Sequence, residues 1–366
     1  MEPIDDNITH ATYQSLEGME GLVPPVSSEG PKQSVGGRAR DLALSVYPGL
    51  AATLTIATAA TWLSQHYGAP VMLFSLLLGM AFHFLHEETN CRTGIDFAAR
   101  TVLRIGVALL GTRITLEQAT SLGLVPLATI VLGVTATIGF GVVLSRVFKT
   151  GRYFGVLSGG AVAICGASAA LAISSILPSE SGKERDTVLV VVLITALSTI
   201  AMIVYPMLVL PLGLDHWHAG VFLGGTIHDV AQVVGAGFTV SPESGEIATV
   251  VKLLRVAMLL PVSVTLLGIV GQRAAERKFK LRSVLPIFLV GFVGLALLNS
   301  FGMLALNVTH VLSDVSRWCL VIAIAALGTK TSLKSLITAG WRPVSIVFAE
   351  TAFIAALVLA SVHFLM

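Results

Sequence analysis

From Leu42 to the C-terminus the chain is a succession of apolar stretches, about eleven in all, each near the ~20 residues that an α-helix needs to cross a bilayer. They fall at roughly 42–63, 69–86, 95–113, 122–146, 153–178, 187–212, 217–239, 247–271, 284–302, 316–336 and 342–365. Hydrocarbon offers no partner for backbone N–H and C=O groups, so segments of this length must bond internally as helices. The sequence therefore predicts an all-α integral membrane protein of about eleven transmembrane helices. With 54% hydrophobic and only 12% charged residues it lies far from soluble domains, in which roughly 25% are charged. The first 41 residues differ: Glu, Asp, Ser, Gly and Pro dominate, and they read as a disordered cytoplasmic tail ahead of a transmembrane domain at 42–366.

Two of the apolar stretches are interrupted. Phe154 to Leu177 carries Ser158-Gly159-Gly160 and then Cys165-Gly166-Ala167-Ser168, and Trp318 to Leu336 carries Gly328-Thr329-Lys330-Thr331-Ser332. Unwound backbone at membrane depth needs protein or a water-filled cavity to satisfy it, so paired breaks predict a substrate site of the kind secondary transporters build. Half-helix N-termini at such a crossing carry about half a positive charge each and favour an anion.

Lys and Arg in short loops set orientation. Arg92, Arg146, Lys149, Arg152, the cluster Arg273, Arg277, Lys278, Lys280 and Arg282, then Lys334 and Arg342 fall on one side; Arg113, Lys183 and Arg185 fall on the other. The positive-inside rule places the N-terminus in the cytoplasm and the C-terminus outside. Internal similarity supports a repeat. Leu78–His83 matches Leu223–His228, Leu103–Leu110 resembles Leu254–Leu260, and Gly166 aligns with Gly328. Five spans per copy is odd, so spans 2–6 (about 69–212) and 7–11 (about 217–366) are expected to form a 5+5 inverted repeat, with broken spans 5 and 10 crossing and the first span added.

Leu76–Glu88, Arg104–Thr115, Gly159–Ser168, Gly224–Gly237 and Ala325–Leu333 resemble the YeiH family, labelled as sulfate exporters, with Gly-Gly-Thr-Ile-His-Asp-Val-Ala-Gln at 224–232 the most specific piece. The likeness runs from about Tyr47 to the C-terminus. It implies an inverted-repeat fold similar to sodium/proton antiporters and bile-acid-type symporters, a place in the bacterial inner membrane, and sulfate or a sulfonate as cargo.

The expected substrate site comprises Ser158, Gly159, Gly160, Cys165, Gly166, Ala167 and Ser168 on one break and Gly328, Thr329, Lys330 and Thr331 on the other. Lys330 is read either as counter-charge to an anion or as a side chain snorkelling to the surface. His228, Asp229 and Gln232 are read either as a proton-coupling or gating group or as a satisfied polar cluster, and Glu350 either as a partner for Lys330 or as a proton carrier. Arg104 and Arg255, joined by Arg100 and Lys252, are read as an anion pathway or as helix anchors. His83, His86, Glu87, Glu88 and Cys91 sit at a helix end and read as a solvated terminus rather than a metal site; the three cysteines read as free thiols.

The sequence contains no Gly-x-x-x-x-Gly-Lys-Ser/Thr pattern, and a net charge of +2 gives no pointer to nucleic acid. A transporter of a small oxyanion working by alternating access is the reading adopted, neither enzyme nor cofactor-dependent, coupled to a proton or sodium ion and homodimeric by fold analogy. An anion channel of the same fold is the alternative. An intramembrane enzyme using His228 and Asp229, with Ser158 or Cys165 as nucleophile, is a weaker one.

Overall fold

The computed structural model describes residues 35–366 apart from 88–89, 116, 118–121, 152, 179–181, 271–286 and 332–339. Most of the expected tail, Ser332, and the basic loop residues Arg152, Lys334 and those between 273 and 282 lie outside the described residues. Within them the chain is all helical, with no strand. In order these are α1 (Val35–Tyr67), α2 (Val71–Ala81), α3 (Phe84–Glu87) and α4 (Arg92–Phe97), which passes through a π-helical turn at Ala98–Val102 into α5 (Leu103–Leu110). Then come α6 (Leu124–Phe148), α7 (Phe154–Ala163), α8 (Ala167–Ile176), α9 (Lys183–Val209), α10 (His216–Thr226) and α11 (Val230–Val240). The last are α12 (Pro242–Ala257), α13 (Leu259–Val270), α14 (Ile287–Ser300), α15 (Leu306–Lys330) and α16 (Trp341–Phe364).

Six of the expected spans are helices long and apolar enough to cross a membrane: α1 from Ala43, α6, α9, α12 with α13, α15 and α16. Many of their large apolar side chains, such as Leu132, Val143, Met207 and Phe348, point outward as a lipid-facing surface requires. The other expected spans are shorter or composite, and two of them turn back on themselves. In the fifth, α7 and α8 lie side by side, since a Cβ on Gly160 would run into the Ile173 side chain. In the seventh, the Ser244 hydroxyl at the start of α12 donates to the His216 carbonyl at the start of α10 at 2.7 Å. The end of α11 comes back to the same place, because a Cβ on Gly237 would sit 2.8 Å from Gly245 Cα. Each is thus a helical hairpin, with its turn at Ile164–Gly166 or at Ile227–Asp229.

The hairpins enter from opposite ends. Gly155, at the start of the first, packs on Gly141 and Ser145 near the end of α6, where Phe148 meets Trp341. From there α16 runs past Ser158 at Glu350, past the second tip at Thr351, and on past Gly225 at Val358. Its far end therefore lies with the base of the second hairpin. Two expectations are corrected here. The tenth span is not broken at Gly328–Lys330: α15 stays helical through Lys330, and only Thr331 leaves helical geometry (ψ 117°) before the undescribed 332–339. The fifth span meets the seventh rather than the tenth, while the tenth packs closely on α2, where a Cβ on Gly328 would lie 2.9 Å from Gly79 Cα.

Candidate functional site

The two hairpin turns meet near mid-protein, and α12 supplies the charge between them. At each turn a helix ends, leaving carbonyls without intrahelical partners, and another begins with unpaired N–H groups. Lys252 and Arg255, three residues apart and so on one face of α12, are 0% and 1% exposed. Lys252 Nζ donates to Ile164 O at 2.8 Å in the first turn and to Ile227 O at 2.9 Å in the second. Arg255 donates through Nε to Ala163 O at 2.9 Å and through Nη2 to Val162 O at 2.9 Å. Its Nη1 reaches Gly224 O and Ile227 O, both at 3.2 Å.

Cations at helix C-termini are favoured by the macrodipole, which offsets part of their desolvation. Carbonyls carry only partial charge, and among the described residues the one carboxylate that interacts with Lys252 is Asp229 at the second turn, so two cations face a single carboxylate. An ammonium has three donors and a guanidinium five, so one donor on each remains after these bonds.

The remaining polar groups are arranged around this pair. Gly166 takes φ +68°, a conformation open to glycine at little cost, and begins α8 within 3.8 Å of His228 Cβ as measured from an added Cβ. His228 is fully buried; its Nε2 meets Thr351 Oγ1 at 3.0 Å, and Nδ1 has no hydrogen-bond partner. Since the Thr351 hydroxyl donates to Val347 O at 2.8 Å, it accepts from Nε2–H. Asp229 caps α11 by accepting from Ala231 N at 2.8 Å, while its own N–H donates to Ser198 Oγ at 3.2 Å. Gln232 donates to Thr199 Oγ1 at 2.8 Å. Glu350 is 0% exposed; Oε1 accepts from Ser158 Oγ at 2.8 Å, and Oε2 has no partner.

Of the residues expected from sequence, the structure brings together Cys165, Gly166, His228, Asp229 and Arg255 at the tips, with Ala167 and Ser168 opening α8. Ser158, Gly159 and Gly160 lie one to two turns back along α7, and Gln232 lies in the first turn of α11. Gly328, Thr329, Lys330 and Thr331 belong to a different place. Lys330 Nζ pairs with Asp96 Oδ1 at 2.7 Å, the two side chains being 22% and 20% exposed. Thr329 O meets His83 Nδ1 at 2.6 Å, and His86 Nε2 stands 3.5 Å from the same Asp96 oxygen. Lys330 therefore pairs with Asp96 rather than with Glu350, and the Asp229 carboxylate at the second turn is near enough to it to interact electrostatically. Arg104, expected to match Arg255, is exposed on α5. The central charge beside Arg255 is Lys252, which the sequence grouped with Arg104 and Arg100. A signal for the second hairpin stood in the sequence: Gly155-Val-Leu-Ser-Gly-Gly160 and Gly220-Val-Phe-Leu-Gly-Gly225 recur 65 residues apart.

Residues 48–347 match the family model described as conserved hypothetical protein 698. The chain is 56% identical over 319 residues to UPF0324 membrane protein CT0845 of Chlorobaculum tepidum, covering 86% of this chain and 89% of the relative. It is 48% identical over 329 residues to UPF0324 membrane protein TauZ of Paracoccus denitrificans, covering 89% and 97%. It is 32% identical over 310 residues to UPF0324 inner membrane protein YeiH of Escherichia coli, covering 81% and 87%. No solved structure matches.

Proposed function

The chain belongs to the conserved hypothetical protein 698 family, the UPF0324 membrane proteins that include YeiH, and from that premise we propose that it is a secondary transporter of a small oxyanion. The observation that carries this is the fully buried Lys252–Arg255 pair bridging two broken-helix turns. Buried cations are costly at membrane depth and accumulate where a substrate or a relay needs them. Here they meet two helix N-termini and the Gly166 backbone, a set of donors suited to a tetrahedral anion. Sulfate or a sulfonate is the best candidate cargo, and export the direction, on the family's label.

Two hairpins entering from opposite ends, with matched Gly-Val-x-x-Gly-Gly arms, support an inverted relationship centred on the site rather than the spacing expected between spans 5 and 10. The turns are closed by direct bonds from Lys252 and Arg255 to both, and the small cavity beside Arg255, about 10 Å³ among α6, α10, α12 and α16, does not reach between them. The hairpins must part to admit an oxyanion, which favours alternating access over a standing pore. We place the protein in the inner membrane with the N-terminus cytoplasmic, so that the Phe154–Ile176 hairpin faces the cytoplasm.

Efflux and uptake of radiolabelled sulfate in proteoliposomes test the reading. Wild type should move sulfate, Lys252→Met should reduce flux at least about 100-fold, and Lys330→Met should stay within about twofold. No flux of sulfate or any sulfonate from wild type defeats the proposal. Single-channel currents would turn it into a channel.

A further inference from the structure

We propose that Glu350 is the proton-carrying group of this protein, loaded while the hairpins are closed and discharged to water when the Phe154–Ile176 hairpin moves. This rests on the transport reading above for its purpose, though not for its geometry. Glu350 is fully buried and makes one hydrogen bond, from Ser158 on α7, leaving the second carboxyl oxygen with no partner. An ionised carboxylate in such a place loses its hydration without compensation, whereas the neutral acid is accommodated at the cost of one polar group. Among the described residues no salt bridge reaches it: Lys252 and Arg255 are engaged by turn carbonyls, and Lys330 by Asp96.

The groups that face it come from each packed element. From α6 comes Gly141, whose added Cβ would collide with Glu350 Oε1, and from α7 the Ser158 hydroxyl. From the second hairpin the nearest ionisable group is His228, held through Thr351, the next residue of α16. On α9 the polar side chains beside the turns, Ser198 and Thr199, are taken by the Asp229 amide and Gln232.

Consecutive residues of α16 thus hold opposite hairpins: Glu350 grips the arm of one and Thr351 the turn of the other. Withdrawal of the α7 arm removes the Ser158 hydroxyl and admits water to the free carboxyl oxygen, which lets the proton leave. Re-closing requires the proton back. Proton binding and hairpin closure are therefore the same equilibrium seen from two ends.

Two measurements test this on the full chain. Infrared difference spectra of the protein in nanodiscs, recorded against pH, should contain a protonated-carboxyl C=O stretch at neutral pH that Glu350→Gln abolishes and Glu350→Asp shifts. In proteoliposomes a pH gradient should accelerate radiolabelled sulfate movement by wild type at least about fivefold. Glu350→Gln, which keeps the Ser158 bond and cannot lose a proton, should favour the closed hairpin, slow sulfate movement and remove its response to the gradient. A carboxyl band unchanged in Glu350→Gln, or a gradient response equal to wild type in that variant, overturns the proposal. A wild type that moves no sulfate defeats the transport reading, and the infrared result then decides Glu350 by itself.

Discussion

Lys252 and Arg255 are wholly buried on α12 and bond backbone carbonyls, whereas Lys330 at the end of α15 is partly exposed and faces the Asp96 carboxylate. Both places put cations in an apolar stretch, and the two outcomes differ in net charge. A carboxylate cancels an ammonium; a carbonyl only orients it. On the proposed function it is the α12 pair, held mainly by carbonyls, that would meet an anion.

The sharpest way to break this contrast is Arg255→Met, which strips donors from Val162, Ala163 and Gly224 carbonyls in two hairpins at once. Each buried carbonyl left without a donor costs about 1–3 kcal/mol, so the variant should lose flux and fall markedly in thermal midpoint by size-exclusion chromatography. Retained stability would show that the turns hold without it.

Gly224→Ala comes next. Its Cβ would lie 2.5 Å from Ala248 O, forcing α10 off α12 at a cost of about 1–3 kcal/mol. Gly328→Ala, equally tight against Gly79, should cost as much in stability yet spare flux, because it packs away from the turns; equal loss of flux in both would erase the distinction. For the largely buried Lys330–Asp96 pair, a thermal double-mutant cycle of Lys330→Met and Asp96→Asn should give a coupling of about 1 kcal/mol, the upper end for a surface pair.

The smallest effect concerns Asp215, outside the spans, which caps α10 by accepting from His218 N at 2.8 Å. That backbone bond holds its carboxyl below the usual range. The cap therefore stabilises at pH above the ordinary carboxylate value, and its contribution fades as pH falls through the lowered one. Asp215→Ala should cost about 0.5 kcal/mol at neutral pH and nothing in acid.

Much of this was legible beforehand. Apolar length fixes the helices, the Cys165-Gly166 interruption marks the first turn, and the spacing of Lys252 and Arg255 puts both on one face. What could not be read was which cation points inward. Lys330 follows Gly328 and Thr329 and looks like a break, yet its helix continues because Asp96, distant in sequence, waits for it. Hydropathy likewise cannot distinguish a span from a hairpin of equal length. The bond from Ser244, just beyond the end of α11, to His216 at the start of α10 is what shows that α11 doubles back.

Arg255 holds carbonyls from both hairpins with a single guanidinium. A planar group of fixed geometry cannot follow two withdrawing partners in opposite directions. In the proposed cycle, retreat of one hairpin would leave the cation bonded to the other. The doubly withdrawn form strands Arg255 between them, which makes it the least stable arrangement of all. In the transporter proposed above, that form would also be the leaky one, and Arg255 would disfavour it by bonding carbonyls of both hairpins at once.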